Sequence, residues 1–79
     1  MNSTKMSHEK RNIIDYMVVC VNDYADRHGI SFVDAFDYLS ANKGLDFVEE
    51  CYDAEHTLSP ETALDDIEAV CKRNEGVLV

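Results

Sequence analysis

The chain has 79 residues, with 16 Asp and Glu against seven Lys and Arg, for a net charge of −9, and is 46% hydrophobic and 29% charged. That is enough for one core but not two, and too apolar for a disordered chain. So few bases, and those scattered, exclude sequence-independent binding of nucleic acid, which depends on Lys and Arg displacing counterions from phosphates.

Nothing near Met1 reads as a signal peptide, because Met1-Asn2-Ser3-Thr4-Lys5 leads into polar residues rather than an apolar segment. The longest apolar run is Tyr16 to Val21, far short of the ~20 residues that span a bilayer, so no membrane partner is expected. Cys20, Cys51 and Cys71 are odd in number and contain no CxxC pair. They suggest neither a disulfide framework nor a zinc knuckle, and a reducing cytoplasm is the expected location.

The spacing predicts an all-α domain over residues 1–79 with four helices. The first covers about 8–28, capped by Ser7, with Glu9 in its first turn, and closed by Gly29. Its core face reads Ile13, Ile14, Met17, Val18, Val21, Tyr24 and Ala25. Between Tyr16 and Val21 it is apolar on every side, which also fits a short strand. Read as helix, it is expected to be the central, most buried element, packed by the other three.

The second helix, about 32–42, opens on a capping pair, Ser31 with Asp34, and Ile30 is placed to staple onto Ala35. Phe32, Val33, Phe36 and Leu39 make its apolar stripe, and Gly44 is expected to reverse the chain after Asn42-Lys43. The third, about 46–56, starts at Asp46, turns Phe47, Val48, Cys51 and Tyr52 inward, and has an acidic outer face. The fourth, about 60–74, is announced by Ser59-Pro60-Glu61 and carries Ala63, Leu64, Ile67, Val70 and Cys71 on its core stripe. Asn74 and Gly76 are expected to end it, with Val77-Leu78-Val79 as an apolar tail.

No constellation makes a convincing catalytic, cofactor or metal site. Cys51, His56 and nearby acids could form an activated thiol, but each cysteine sits on or beside an apolar stripe, without a glycine-rich oxyanion loop. The three cysteines and three histidines lack the close spacing that lets short loops close around zinc. Acid pairs such as Glu49-Glu50 and Asp65-Asp66 are unavoidable with 16 carboxylates and more simply form a solvated face. Ser31 lacks the Asp-Ser-Leu context of an acyl carrier protein and reads as an N-cap. His56, in His56-Thr57-Leu58-Ser59, is either a contact residue or the closure of the preceding helix.

Several stretches together carry a family resemblance: Met17 to Asn22 with Tyr24-Ala25, Ser31 to Leu39, Lys43 to Phe47, Glu55 to Ser59, Asp65-Asp66-Ile67 and Cys71 to Asn74. Over about residues 12 to 76 the chain resembles short bacterial proteins classed as domain of unknown function 3791. The Asn74-Glu75-Gly76 ending departs from a more glycine-rich finish. The resemblance implies a helical, non-enzymatic accessory, often encoded beside an ADP-ribosyltransferase-like protein, as in a toxin–antitoxin module, and supplies no catalytic residues.

Charge localises the expected contact surface. Residues 1–43 carry six acids and five bases, whereas residues 44–79 carry ten acids and two bases. Glu49, Glu50, Asp53, His56, Glu61, Asp65, Asp66 and Glu68 are the residues expected to meet a protein partner, with the acids steering a basic surface toward helices three and four. The alternative is a homodimer formed through the Tyr16 to Val21 girdle and an exposed Tyr38.

Overall fold

The computed structural model describes the backbone of residues 8–77 and the side chains of residues 11–75, and within them the chain is all helical with no strand. The helices are α1 (His8–His28), α2 (Phe32–Ala41), α3 (Gly44–Glu50), the single turn α4 (Tyr52–Glu55) and α5 (Pro60–Val77). They form one domain in which α1 packs on α2, α3 and α5, while α3 packs on α2 and α5. The expected Ser7 cap and the tail residues Leu78 and Val79 lie outside the described residues.

Local chemistry explains most of the boundaries. At the end of α1, Gly29 adopts φ 64. The Ile30 N–H then reaches Ala25 O at 3.0 Å and the Gly29 N–H reaches Asp26 O at 3.4 Å, the paired bonds of a Schellman stop. Ser31 Oγ accepts from the Asp34 N–H at 3.0 Å to open α2, and Ser59 Oγ accepts from the Thr62 N–H at 3.2 Å to open α5, as side-chain N-caps do. α5 continues past Asn74 to Val77, so neither Asn74 nor Gly76 stops it. Asn74 instead bonds within the helix, its Nδ2 donating to Val70 O at 2.8 Å.

The turn from α2 to α3 differs from expectation in an instructive way. Lys43, not Gly44, takes the left-handed conformation, with φ 68. Gly44 is the first residue of α3 and is buried. A Cβ there would stand 2.8 Å from Cys71 Sγ and 3.0 Å from Leu39 Cδ2. The glycine is therefore needed for close approach of α3 to α5, and the turn accepts a strained lysine at a cost of roughly 1–2 kcal/mol. α3 consequently starts before Asp46, which lies in its first turn and caps nothing.

The expected third helix is broken at Cys51, whose φ −107 and ψ 20 lie outside the helical region. Cys51 O still accepts from the Glu55 N–H at 2.8 Å, starting the separate turn α4. That turn brings the Glu55 carbonyl to the Tyr16 hydroxyl, which donates to it at 3.1 Å.

The core lies where α1, α2, α3 and α5 converge. Val21, Leu39, Val48, Ile67 and Cys71 are its largest fully buried side chains, and burying each aliphatic one is worth about 1.5–3 kcal/mol. Ala63, Leu64, Ile67, Val70 and Cys71 all point inward from α5. Among the described side chains of α1, the first buried one is Cys20. The girdle from Tyr16 to Val21 is thus not buried all round: Tyr16 and Met17 are half-buried, and Val18 and Val19 are exposed. On α2 the core takes Ala35 and Leu39, leaving Phe32, Val33 and Phe36 exposed.

Candidate functional site

The eight expected contact residues divide into groups with different surroundings. Glu49 and Glu50 are exposed at the C-terminal end of α3, Asp53 is exposed on α4, and Glu61 is exposed in the first turn of α5. Among the described residues the ion pairs lie elsewhere, between the end of α1 and α5. These four acids are therefore carboxylates facing solvent with no cationic partner among the described residues.

Asp65 and Glu68 are already engaged. Arg27 Nη1 donates to Glu68 Oε1 at 2.7 Å and to Asp65 Oδ1 at 2.9 Å, and His28 Nε2 lies 3.3 Å from the same Glu68 oxygen. The Arg27 hydrogen bond, with help from His28, holds the Glu68 carboxyl below the usual carboxylate range. These two acids serve as an internal clamp between α1 and α5, while one Asp65 edge stays open with its side chain 71% exposed.

Asp66 belongs to a third environment. It is half-buried and faces Glu55, which is only 7% exposed and whose Oε1 is buried with no hydrogen-bond partner among the described residues. Burial, reinforced by a hydrogen bond to Asp66 and its charge, pushes the Glu55 carboxyl up to about 7.

His56 closes α4. Its Nδ1 lies 2.7 Å from Tyr52 O, where it acts as donor to the carbonyl. Its ring stacks on Tyr52 at 4.3 Å, and Tyr16 meets Tyr52 edge-on at 5.6 Å. Beside this cluster is a cleft of about 150 Å³ lined by Tyr16, Cys20, His56 and Leu58, among others. Burial raises the Cys20 and Cys71 thiols to about 11, so neither is a thiolate near neutral pH.

Three features escaped the sequence reading. Arg27 and Glu55 gave no local sign of their partners, which lie on α5. The third is an apolar groove of about 290 Å³ between α1 and α2, lined by Ile14, Met17, Val18, Val21, Phe32, Phe36 and Leu45. Its signal was available. On α2, residues 32, 33, 35, 36 and 39 are all apolar, a stripe too wide for one neighbour to cover. Tyr38, by contrast, is not free for self-association, because it stacks on Tyr24 with ring centroids 5.7 Å apart and its hydroxyl donates to Glu75.

Among the described residues, no helix is long and apolar enough to cross a membrane. Over residues 15–74 the chain matches the family model described as Protein of unknown function (DUF3791). No curated protein and no solved structure matches it.

Proposed function

The chain belongs to the family Protein of unknown function (DUF3791), and from that premise we propose that it is a non-enzymatic protein-interaction domain of the cytoplasm. Its partner in this reading is a co-encoded ADP-ribosyltransferase-like protein, toward which it acts as an accessory or antitoxin-like subunit. The observation that carries the interaction is the run of carboxylates Glu49, Glu50, Asp53 and Glu61 on α3, α4 and α5, which have no cationic partner among the described residues. Such a surface accelerates and orients the approach of a basic partner. Asp65 and Glu68 contribute less, because Arg27 already pairs with both. The test is co-expression with the ADP-ribosyltransferase-like protein followed by size-exclusion chromatography. Co-elution supports the reading, and separate elution at micromolar concentration counts against it.

A homodimer is a second reading, favoured by the exposure of Ile14, Val18 and Val19 on α1 together with Phe32 and Phe36 on α2. Clustered apolar exposure of this kind on a small domain marks an interface. Sedimentation equilibrium of the isolated chain over a hundredfold concentration range distinguishes the two readings.

A further inference from the structure

The groove between α1 and α2 has the construction of a helix seat. Ile14 and Val18 form one wall and Phe32 and Phe36 the other, with Met17 and Leu45 beside them. Each wall is an i, i+4 pair along its helix, so the groove presents one row of side chains from each helix. Rows at that spacing are what a third helix interdigitates with. The Phe32 and Phe36 rings lie 6.5 Å apart and within 10° of parallel, giving a flat aromatic wall. Ile14, Val18, Phe32 and Phe36 are between 40% and 45% exposed. Four large apolar side chains gathered on one concave surface differ from the scattered exposure found on any soluble domain.

Charge decides the occupant. A second copy would bring another −9 to a chain that already carries −9. The charged residues near the lining in sequence, Arg11, Asp15, Asp34, Asp37, Lys43 and Asp46, are two bases against four acids, and like charges facing each other across an interface are strongly unfavourable. We propose that the groove seats an amphipathic helix of the partner protein, with its apolar face between Val18 and Phe36 and lysine or arginine along its flanks. This rests on the reading that the domain binds another protein and adds an apolar contact to the acidic one.

The experiment titrates the full chain, methyl-labelled at Ile, Leu, Val and Met, with a synthetic helix bearing leucine on one face and lysine on the other. A leucine and glutamate counterpart is the control. The lysine peptide is expected to shift the methyls of Ile14, Met17, Val18 and Leu45, and to bind at least about tenfold tighter than the glutamate peptide. Val18→Asp and Phe36→Asp, at half-exposed positions, should abolish those shifts while retaining helicity by circular dichroism. Val18→Ser and Phe36→Ser serve if the charged variants unfold. Silence of the groove methyls toward both peptides, equal binding of both, or a second copy already covering the groove in the free chain would overturn the proposal. Shifts confined to α3, α4 and α5 would also overturn it while leaving the acidic-surface reading intact. Groove shifts alongside partner binding that ignores reversal of Glu49, Glu50 and Asp53 would support the groove and sink the acidic surface.

Discussion

Gly44 and Cys71 sit so close that a single added carbon would bring them to 2.8 Å, well inside van der Waals contact. Cys71 is fully buried and short, so its sulfur cannot swing aside, and Leu39, also fully buried, blocks the other direction. This contact sets how deeply α3 settles onto α5. Gly44→Ala gains up to about 1 kcal/mol in helix propensity but loses roughly 1–3 kcal/mol to overpacking, so the variant should be net destabilised. Cys71→Ala in the same chain removes the obstructing sulfur, so the double variant should lose less stability in urea unfolding than the sum of the two single losses. Strict additivity would show that the close approach is not what Gly44 provides.

Glu55 makes stability depend on pH in an unusual direction. Its carboxyl titrates near 7 in the fold against 4.5 ordinarily, so between those values the folded chain holds a proton that the unfolded chain has released. Its contribution is therefore fully present below 4.5 and lost as the pH rises through 7, a decline of about 3 kcal/mol. Glu68 has the opposite sense, because a carboxyl held low by Arg27 loses its contribution as the pH falls through the carboxylate range. Thermal melts should then show maximal stability in mildly acidic buffer. Glu55→Gln should flatten the alkaline limb and leave the acidic limb in place. Parallel profiles for the two proteins from pH 5 to 8 would remove Glu55 from the account.

The cap at Ser31 is a local anchor for the aromatic wall of the groove. Ser31→Ala removes the acceptor for the Asp34 N–H and should cost about 1 kcal/mol. The loss should appear in hydrogen exchange as faster opening of the first turn of α2, with α5 unchanged. Equal acceleration throughout the chain would mean that α2 has no independent opening.

What the sequence revealed, and what it hid, follows from the range of the interactions. Gly29, Ser31 and Ser59-Pro60 act on their own neighbours within a few residues, so the helix ends they govern were legible, as was the α5 stripe that meets the core along one face. The break at Cys51 carries no glycine or proline and became visible only with the contact it serves, Tyr16 to the Glu55 carbonyl. The left-handed Lys43 was hidden because Gly44 is reserved for packing against Cys71. Among the site residues, the acidic character of α3 to α5 could be read directly. That Arg27 removes Asp65 and Glu68 from that surface could not, since those partners are 38 and 41 residues away. Helical periodicity marked Val18 and Phe36 as apolar but did not say whether a neighbour in the same chain covers them.

Arg27 offers a control for the acidic surface. Arg27→Gln releases Asp65 and leaves Glu68 with His28 alone, and should lower stability only slightly, as an exposed ion pair implies. The same change leaves more negative charge unpaired on α5, so binding to a basic partner should strengthen or stay level. A marked weakening would place Arg27 itself in the interface.

The most direct measurement is calorimetric titration of the proposed partner, an ADP-ribosyltransferase-like protein, with the full chain, as wild type and with Glu49, Glu50, Asp53 and Glu61 all changed to lysine. The account predicts saturable binding of the wild type that weakens with salt and falls at least about tenfold in the reversed variant, with unchanged helicity. Absence of binding, or equal affinity of the two chains at low salt, would contradict it.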